Sequence, residues 1–127
     1  MISLTEVVEL MLEVSLLMGT PLLGDIPDVH ELSPNQIAKV CSRPAKGCYS
    51  RPSIYIRDDL KTGLEKNGVL VHELVHHYQE MLGKYNNFSS CYKYKYREED
   101  AYYFQNSYLE KNNSATYSIT PQLICPP

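Results

Sequence analysis

The sequence predicts an α+β fold in which helices pack on a short antiparallel sheet. Two observations favour this fold. Apolar residues recur at helical spacing over the first 15 residues, and neither Pro nor Gly interrupts the segment 69–82. In contrast, Ser53–Arg57 alternates isoleucine with other side chains and includes an aromatic residue, which is typical of a strand. The 127 residues suffice for one modest core, so we assign residues 1–127 to a single domain.

The N-terminal segment predicts a helix with a defined start and end. Ser3 and Glu6 have the spacing of a capping box, and apolar residues follow at helical intervals from Leu4. The sequence Gly19-Thr20-Pro21 then ends the helix, because Gly and Pro are stop signals. We expect the residues that follow, up to 32, to form a connection without regular structure.

A second, shorter helix begins after Ser33. Serine at the N-cap, followed by proline at the first helical position, is a common helix start. His30, in the preceding connection, is expected at the surface. Residues 42–52 are rich in turn-forming residues and leave room for one short strand around Cys48–Tyr49.

The second half of the chain predicts two longer helices. Gly83 is the expected stop of the first of them. The expected elements are an approach segment at 60–67, a helix from about Gly68 to Leu82, a loop at 84–96, a final helix at 94–111, and an irregular tail at 112–127 with a short strand at 117–119.

Charge and hydropathy exclude two classes of partner. The net charge is −3 and no run of Lys and Arg is present, so the sequence gives no electrostatic basis for nucleic-acid binding. The N-terminal apolar stretch carries Glu6, Glu9 and Glu13, which prevents it from spanning a membrane. The same stretch lacks the basic start and the unbroken apolar centre of a signal peptide. We therefore predict no nucleic-acid partner and no membrane span.

The four cysteines predict two disulfides. Their number is even and no C-x-x-C spacing occurs, which argues against a zinc knuckle or a thioredoxin-type motif. Of the three pairings, we favour the local pair Cys41–Cys48 and the long-range pair Cys91–Cys125. Disulfides indicate a periplasmic or secreted protein in its mature form, whereas four reduced, buried thiols would indicate a cytoplasmic one.

The segment Val69–Tyr78 contains the motif His-Glu-x-x-His, formed by His72, Glu73 and His76. Residues four apart on an α-helix project from one face, so both histidines can bind a single zinc ion. Glu73 lies about 100° around the helix from the first ligand, where it can reach a water held on that metal. Uncharged neighbours indicate a buried helix rather than a chance pair of histidines on a surface helix. The sequence therefore predicts one Zn²⁺ ion.

The third ligand has to be acidic. A catalytic zinc needs three protein ligands and an open position, and no histidine follows the motif. Glu98 shares a helical face with Ala101, whose small side chain allows two helices to approach closely. Glu99 and Asp100 lie on other faces, and Glu99 is the second candidate for the third ligand. The alternative is that all three acids form the charged first turn of a helix.

These motifs resemble those of the gluzincin metallopeptidases, which carry His-Glu-x-x-His on one helix and Glu-x-x-Ala on the next. The sequence is most similar to small members of that class, short bacterial proteins with His-Glu-Leu-Val-His-His followed by Glu-x-x-Ala-Tyr. The resemblance covers about residues 53–109. It implies a minimal zincin-like domain, with zinc ligands His72, His76 and Glu98 and with Glu73 as the catalytic acid/base.

The resemblance also has implications for the substrate and for the surroundings of the zinc. It implies that Ser53–Arg57 is the sheet edge along which an extended peptide lies. Larger gluzincins have an Asp one turn after the third ligand, whereas this chain has Tyr102. The support that orients a zinc-bound histidine must therefore come from another residue.

We therefore predict a zinc-dependent metallopeptidase that hydrolyses peptide bonds in a peptide or protein substrate. A tyrosine near the zinc would stabilise the oxyanion, and the candidates are Tyr55, Tyr102 and Tyr103. The alternative is a zinc-binding protein without turnover, acting as a binding or inhibitory module. It remains open because 127 residues leave little chain for a separate substrate-binding subdomain.

Overall fold

The computed structural model describes residues 2–114 and 117–127 of the chain. Within these residues, four helices pack on one three-stranded sheet, which confirms the predicted α+β class with helices on a short sheet. The elements in order are α1 (Leu4–Met18), β1 (Asp28–Leu32), α2 (Pro34–Val40), β2 (Gly47–Ser50), β3 (Ser53–Arg57), α3 (Gly63–Leu82) and α4 (Ser90–Lys111).

The sheet is mixed, so the prediction of an antiparallel sheet is wrong in part. Its strand order is β1-β3-β2, with β2 antiparallel to β3 and β1 parallel to it. Pro21, Gly24 and Pro27 predict a connection over residues 21–32, but its last part, Asp28–Leu32, is a strand. It becomes a strand by pairing with β3, where Val29 lies opposite Ile54. This pairing is remote in sequence and therefore leaves no local signal.

Side-chain caps define the starts of the first three helices. Ser3 forms the predicted capping box with Glu6, and Ser33, predicted as an N-cap only, also forms a capping box, with Gln36. The Thr62 hydroxyl accepts a hydrogen bond from the backbone N–H of Glu65 at 3.0 Å, so α3 begins at Gly63, five residues before the predicted start. Helices α1 and α3 end as predicted, with Gly19 and Gly83 in the left-handed conformation.

Helix α4 begins at Ser90 rather than near Tyr94, so the expected loop at 84–96 ends earlier. The helical residues that were missed are polar and aromatic, without an apolar stripe. An aromatic cluster stabilises this region, since the rings of Tyr85, Phe88 and Tyr96 lie with centroids 5.1–5.9 Å apart. Contacts between the preceding turn and the new helix therefore compensate for the weak amphipathic pattern.

Helix α3 lies at the centre of the core. One side packs against α1 and another against the sheet, where Ile54 and Ile56 are fully buried. The ring of Tyr78 is also fully buried, and its hydroxyl donates to the carbonyl oxygen of Met11 at 2.9 Å and hydrogen-bonds the Ser15 hydroxyl. Burial on several sides fixes the position and rotation of α3, which carries the His-Glu-x-x-His motif.

Two disulfides join the pairs that the sequence favours, Cys41–Cys48 and Cys91–Cys125. The first closes the turn-rich segment between α2 and β2. The second ties the C-terminal tail to the first turn of α4. The strand expected at 117–119 does not form, and Ser118 instead hydrogen-bonds the side chains of Gln105 and Asn106 on α4. No helix in the described part of the chain is long and apolar enough to cross a membrane.

We expect Tyr78→Phe to lower the free energy of unfolding by about 1–2 kcal/mol, because the buried Ser15 hydroxyl would lose its partner. Urea unfolding of parent and variant measures this difference. The matched control is Tyr103→Phe, since Tyr103 is 66% exposed and its change should stay within about 0.5 kcal/mol. Equal unfolding midpoints for the parent and Tyr78→Phe would contradict the assignment.

Candidate metal centre

Helices α3 and α4 approach each other closely along the face that carries the site. Gly68 makes the approach possible, because a Cβ at that position would lie 3.0 Å from a methyl carbon of Leu109. Ala101 occupies the corresponding place on α4 and is fully buried. Small residues on both helices thus bring the side chains of the motif into reach of α4.

Three side chains from these two helices converge on one point. The Oε1 atom of Glu98 lies 3.4 Å from Nε2 of His72 and 2.5 Å from Nε2 of His76. One donor atom from each residue lies within 4.8 Å of the other two, so the group could hold a metal ion. Tetrahedral ligands around zinc lie about 3.3 Å apart for bonds of about 2.0–2.1 Å, so only small movements separate this arrangement from a ligand set.

Two buried amides orient the histidines. Nδ1 of His72 lies 2.9 Å from Oε1 of Gln105, and Nδ1 of His76 lies 2.9 Å from Oε1 of Gln79. An amide oxygen can only accept, so each Nδ1 carries a proton and each Nε2 faces Glu98. The Nε2 atoms are therefore the available ligand atoms.

The sequence alone did not identify these amides, although it indicated that some residue other than Tyr102 must orient a histidine. Their positions carry a signal, because Gln79 follows His76 by three residues and Gln105 follows Glu98 by seven, each on the same helical face. Tyr102 occupies the position where an acidic residue would orient a histidine, and the two amides take this role instead. Gln79 is itself anchored, since its Nε2 donates to the backbone carbonyl of Arg97 at 2.9 Å.

Contacts among the three converging groups lower the pKa of Glu98 and raise the pKa of His76. Burial favours the neutral form of Glu98, but hydrogen bonds from His72 and His76 outweigh it, and the pKa of Glu98 lies well below its ordinary value. Burial also opposes a charge on His76. The hydrogen bond to Glu98 and the negative charges of Glu73 and Glu98 nevertheless raise the pKa of His76. A proton on His76 therefore competes with any metal ion.

Glu73 lies beside the converging groups in the same cavity. Its side chain is 6% exposed, and burial raises the pKa of its carboxyl, although the charges of His72 and His76 oppose this shift. The cavity has a volume of about 900 Å³ and is lined by residues of β2, α3, α4 and the tail. Its volume lies within the range of ligand-binding pockets in proteins.

The strand next to this cavity is β2 rather than β3. The expectation that Ser53–Arg57 forms the sheet edge for a substrate is wrong, because β3 is the central strand and pairs on both sides. Gly47 and Tyr49 of β2 line the cavity. Gly47 allows β2 to pass close to α3, since a Cβ there would lie 2.7 Å from the Tyr55 carbonyl oxygen and 3.1 Å from Val69.

Of the three tyrosine candidates for oxyanion binding, only Tyr102 reaches the cavity. Its ring lies 4.4 Å from that of His72, measured between centroids. Burial and the negative charges of Glu98 and Glu73 raise the pKa of the Tyr102 hydroxyl, which keeps it a donor. Tyr55 stacks on His30 at the other side of the sheet, and Tyr103 points to solvent. The structure does not bring these two to the site.

The remaining acids and histidines near the motif have other partners. Glu99 is exposed, and Asp100 accepts a hydrogen bond from Tyr85 at 2.6 Å, which raises the pKa of Tyr85 to about 12.

His77 is buried. Its Nε2–H donates to the Asp25 carbonyl oxygen at 2.7 Å, and its Nδ1 accepts from Tyr49 at 3.0 Å. His77, on α3, therefore links the segment before β1 to β2. Both of its ring nitrogens are hydrogen-bonded, so neither is free to bind a metal ion.

Comparison of the chain with protein-family models, with curated protein sequences and with solved structures gives no match. The resemblance to gluzincins therefore stays a prediction based on a few residues. The geometry of His72, His76, Glu98 and their neighbours is the evidence for a function.

We expect Glu98→Ala to lose metal binding and Glu99→Ala to retain it. Glu98 supplies the carboxylate between the two histidines, whereas the Glu99 side chain is exposed on another face of α4. Metal analysis of both purified variants after dialysis against zinc gives the result. Full occupancy in Glu98→Ala, or loss in Glu99→Ala, would refute the assignment of the third ligand.

Metal affinity should fall with decreasing pH, starting above the ordinary histidine pKa of about 6.5. The pKa of His76 is raised, so when no metal is bound this residue holds its proton at higher pH than a free imidazole does. Binding must displace that proton. Zinc titrations in competition with a chelator, at several pH values, measure the effect. An affinity that stays constant until the pH is below 6.5 would contradict the raised pKa.

Proposed function

We propose that this protein is a zinc-dependent metalloendopeptidase of the gluzincin type. The observation that carries the proposal is the convergence of His72, His76 and Glu98 beside Glu73, in one cavity large enough for a peptide segment. Two imidazole nitrogens and one carboxylate are a ligand set typical of catalytic zinc sites, where a fourth position stays open to substrate or water. The metal preference follows from this donor set, since imidazole suits zinc well.

The residues that would hold the ion are His72, His76 and Glu98. When bound, zinc supplies a Lewis acid that polarises the scissile carbonyl and lowers the pKa of water. Glu73 then has the role of general base, because it lies one residue after a ligand with its carboxylate in the cavity. It takes a proton from the attacking water and donates it to the leaving amine. Burial raises the pKa of the Glu73 carboxyl, which favours the protonated form that the second step needs.

The peptide substrate binds along β2 in extended form. The backbone carbonyl oxygen of Lys46 accepts a hydrogen bond from the backbone N–H of Arg57 at 2.9 Å, so these two residues form a hydrogen-bonded pair. Hydrogen-bonded and non-hydrogen-bonded pairs alternate along an antiparallel ladder, and Gly47 and Tyr49 therefore belong to non-hydrogen-bonded pairs. The backbone N–H and C=O groups of Gly47 and Tyr49 consequently point away from β3. An extended peptide can pair with these groups as an added strand, which places its scissile bond over the histidines.

Tyr102 is the donor for the oxyanion. It is half-buried on α4 against the ring of His72, on the wall of the cavity. A phenol with a raised pKa keeps its proton and can stabilise a negative charge as it develops on the substrate carbonyl oxygen. The two disulfides favour a periplasmic or secreted location, where thiols are oxidised.

A zinc-binding module without turnover is the second candidate. One observation favours it, because Tyr117 and Ile119 of the tail line the same cavity and take up part of its wall. Such a module would bind the same ion through the same three residues. The two candidates differ in the role of Glu73.

We expect Glu73→Gln to abolish proteolysis while leaving zinc affinity and unfolding temperature close to those of the parent. The amide keeps the volume of the side chain but cannot accept the proton, and loss of a general base costs about 10²–10⁴-fold in rate. A digest of a peptide library by both proteins, with bound zinc measured in parallel, provides the readout.

Each outcome of this experiment separates the candidates. Cleavage by the parent alone supports the peptidase, whereas zinc binding by both proteins without cleavage by either supports the non-catalytic module. Equal cleavage by parent and variant would refute the proposed role of Glu73. The control variant is Glu80→Gln, which changes a carboxylate on the same helix whose ion pair with Arg97 has a distance of 2.8 Å.

A further inference from the structure

Ser118 of the C-terminal tail is held against α4 at the level of the metal site. The side-chain amide of Asn106 donates to the Ser118 carbonyl oxygen at 2.9 Å and accepts from the Ser118 N–H at 2.8 Å. These two bonds imitate a strand pair and fix the backbone of Ser118. The side chain of Ser118 is therefore presented to α4 in a defined position.

The Ser118 hydroxyl bonds the amide that orients His72. It accepts a hydrogen bond from Nε2 of Gln105 at 2.8 Å, and Oε1 of the same amide accepts from Nδ1 of His72 at 2.9 Å. Gln105 is 5% exposed, so few water molecules can replace either partner. A continuous chain of hydrogen bonds thus leads from the tail to the first histidine of the motif.

An amide needs both of its ends anchored to orient a histidine. Gln79 has such an anchor within the helical pair, because its Nε2 donates to the Arg97 carbonyl. For Gln105 the corresponding anchor is the Ser118 hydroxyl, and it comes from the tail. Without it, the Gln105 amide can rotate away from Nδ1 of His72, and the imidazole ring then loses the hydrogen bond that holds its orientation toward the metal site.

We propose that Ser118 is a positioning residue for the metal site, acting on His72 through Gln105. The inference rests on the proposed zinc binding by His72, His76 and Glu98. The tail is thereby an integral part of the site and not only a cover for α4. Its far end is covalently fixed, because the Cys91–Cys125 disulfide joins it to the first turn of the helix that carries Glu98 and Gln105.

A double-mutant cycle tests the coupling of Ser118 to Gln105. The variants are Ser118→Ala, Gln105→Met and the double variant, and the readout is the zinc dissociation constant in competition with a chelator. Removing the direct partner of a ligand weakens metal binding by about 10–100-fold, so we expect this from Gln105→Met. Ser118→Ala should weaken binding about three- to tenfold in the parent, and should have no further effect in Gln105→Met.

Two control variants and one measurement keep the test independent of folding. Ser118→Thr restores the hydroxyl and should bind zinc like the parent. Ser107→Ala removes an exposed hydroxyl of α4 that donates to the Tyr103 carbonyl oxygen at 2.9 Å, and should have no effect. Thermal unfolding of each variant without zinc verifies that the tertiary structure is retained.

The disulfides provide a second test with an internal control. The double variant Cys91→Ser/Cys125→Ser should weaken zinc binding about as much as Ser118→Ala, because the tail is then held by hydrogen bonds alone. The double variant Cys41→Ser/Cys48→Ser, which opens the other disulfide, should retain the affinity of the parent.

The outcomes distinguish this inference from the proposed function. A parent that does not bind zinc would refute both. If the parent binds zinc, the proposed metal site is supported. An unchanged zinc affinity in Ser118→Ala would then refute the role of Ser118. It would also be refuted by an equal loss in the parent and in the Gln105→Met background. The peptidase activity plays no part in this test.

Discussion

The close packing of α3 against α4 is the constraint on which the site depends. Gly68 and Ala101 have side chains small enough for the helices to approach, and the contact is made on the face that carries His72 and Glu98. A larger residue at either position would separate the histidines from the carboxylate. Since α3 is also buried against α1 and the sheet, it cannot shift to relieve such a change.

The site places several polar groups in the interior, and each requires a partner there. Within the described residues, no buried side-chain nitrogen or oxygen lacks a hydrogen bond. Two glutamines satisfy the histidines on one side, and Glu98 satisfies them on the other. Burial of an unpaired imidazole or carboxylate would cost free energy, so the network and the fold stabilise each other. The same network selects the histidine tautomers that leave Nε2 available.

The sheet and the tail enclose the site from the remaining sides. The edge strand β2 is held near α3 by the small size of Gly47, and the Cys41–Cys48 disulfide fixes the segment that leads into it. The tail crosses the cavity wall at 117–119 and is fixed by the second disulfide. The described residues thus form a walled cavity, and two covalent bonds supplement a modest core.

The sequence by itself determined the elements with strong local signals: the capped helices, the strand Ser53–Arg57 and the motif helix. It favoured one of three cysteine pairings without selecting it, and the structure has that pairing. It also selected Glu98 over Glu99, because the helical period assigns residues to faces. Only the tertiary structure decided which strand forms the edge, that Asp28–Leu32 pairs with β3, and that Gln79, Gln105 and Ser118 meet the histidines. These contacts join residues from separate elements, and hydrogen bonds between distant residues leave no periodic pattern along the chain.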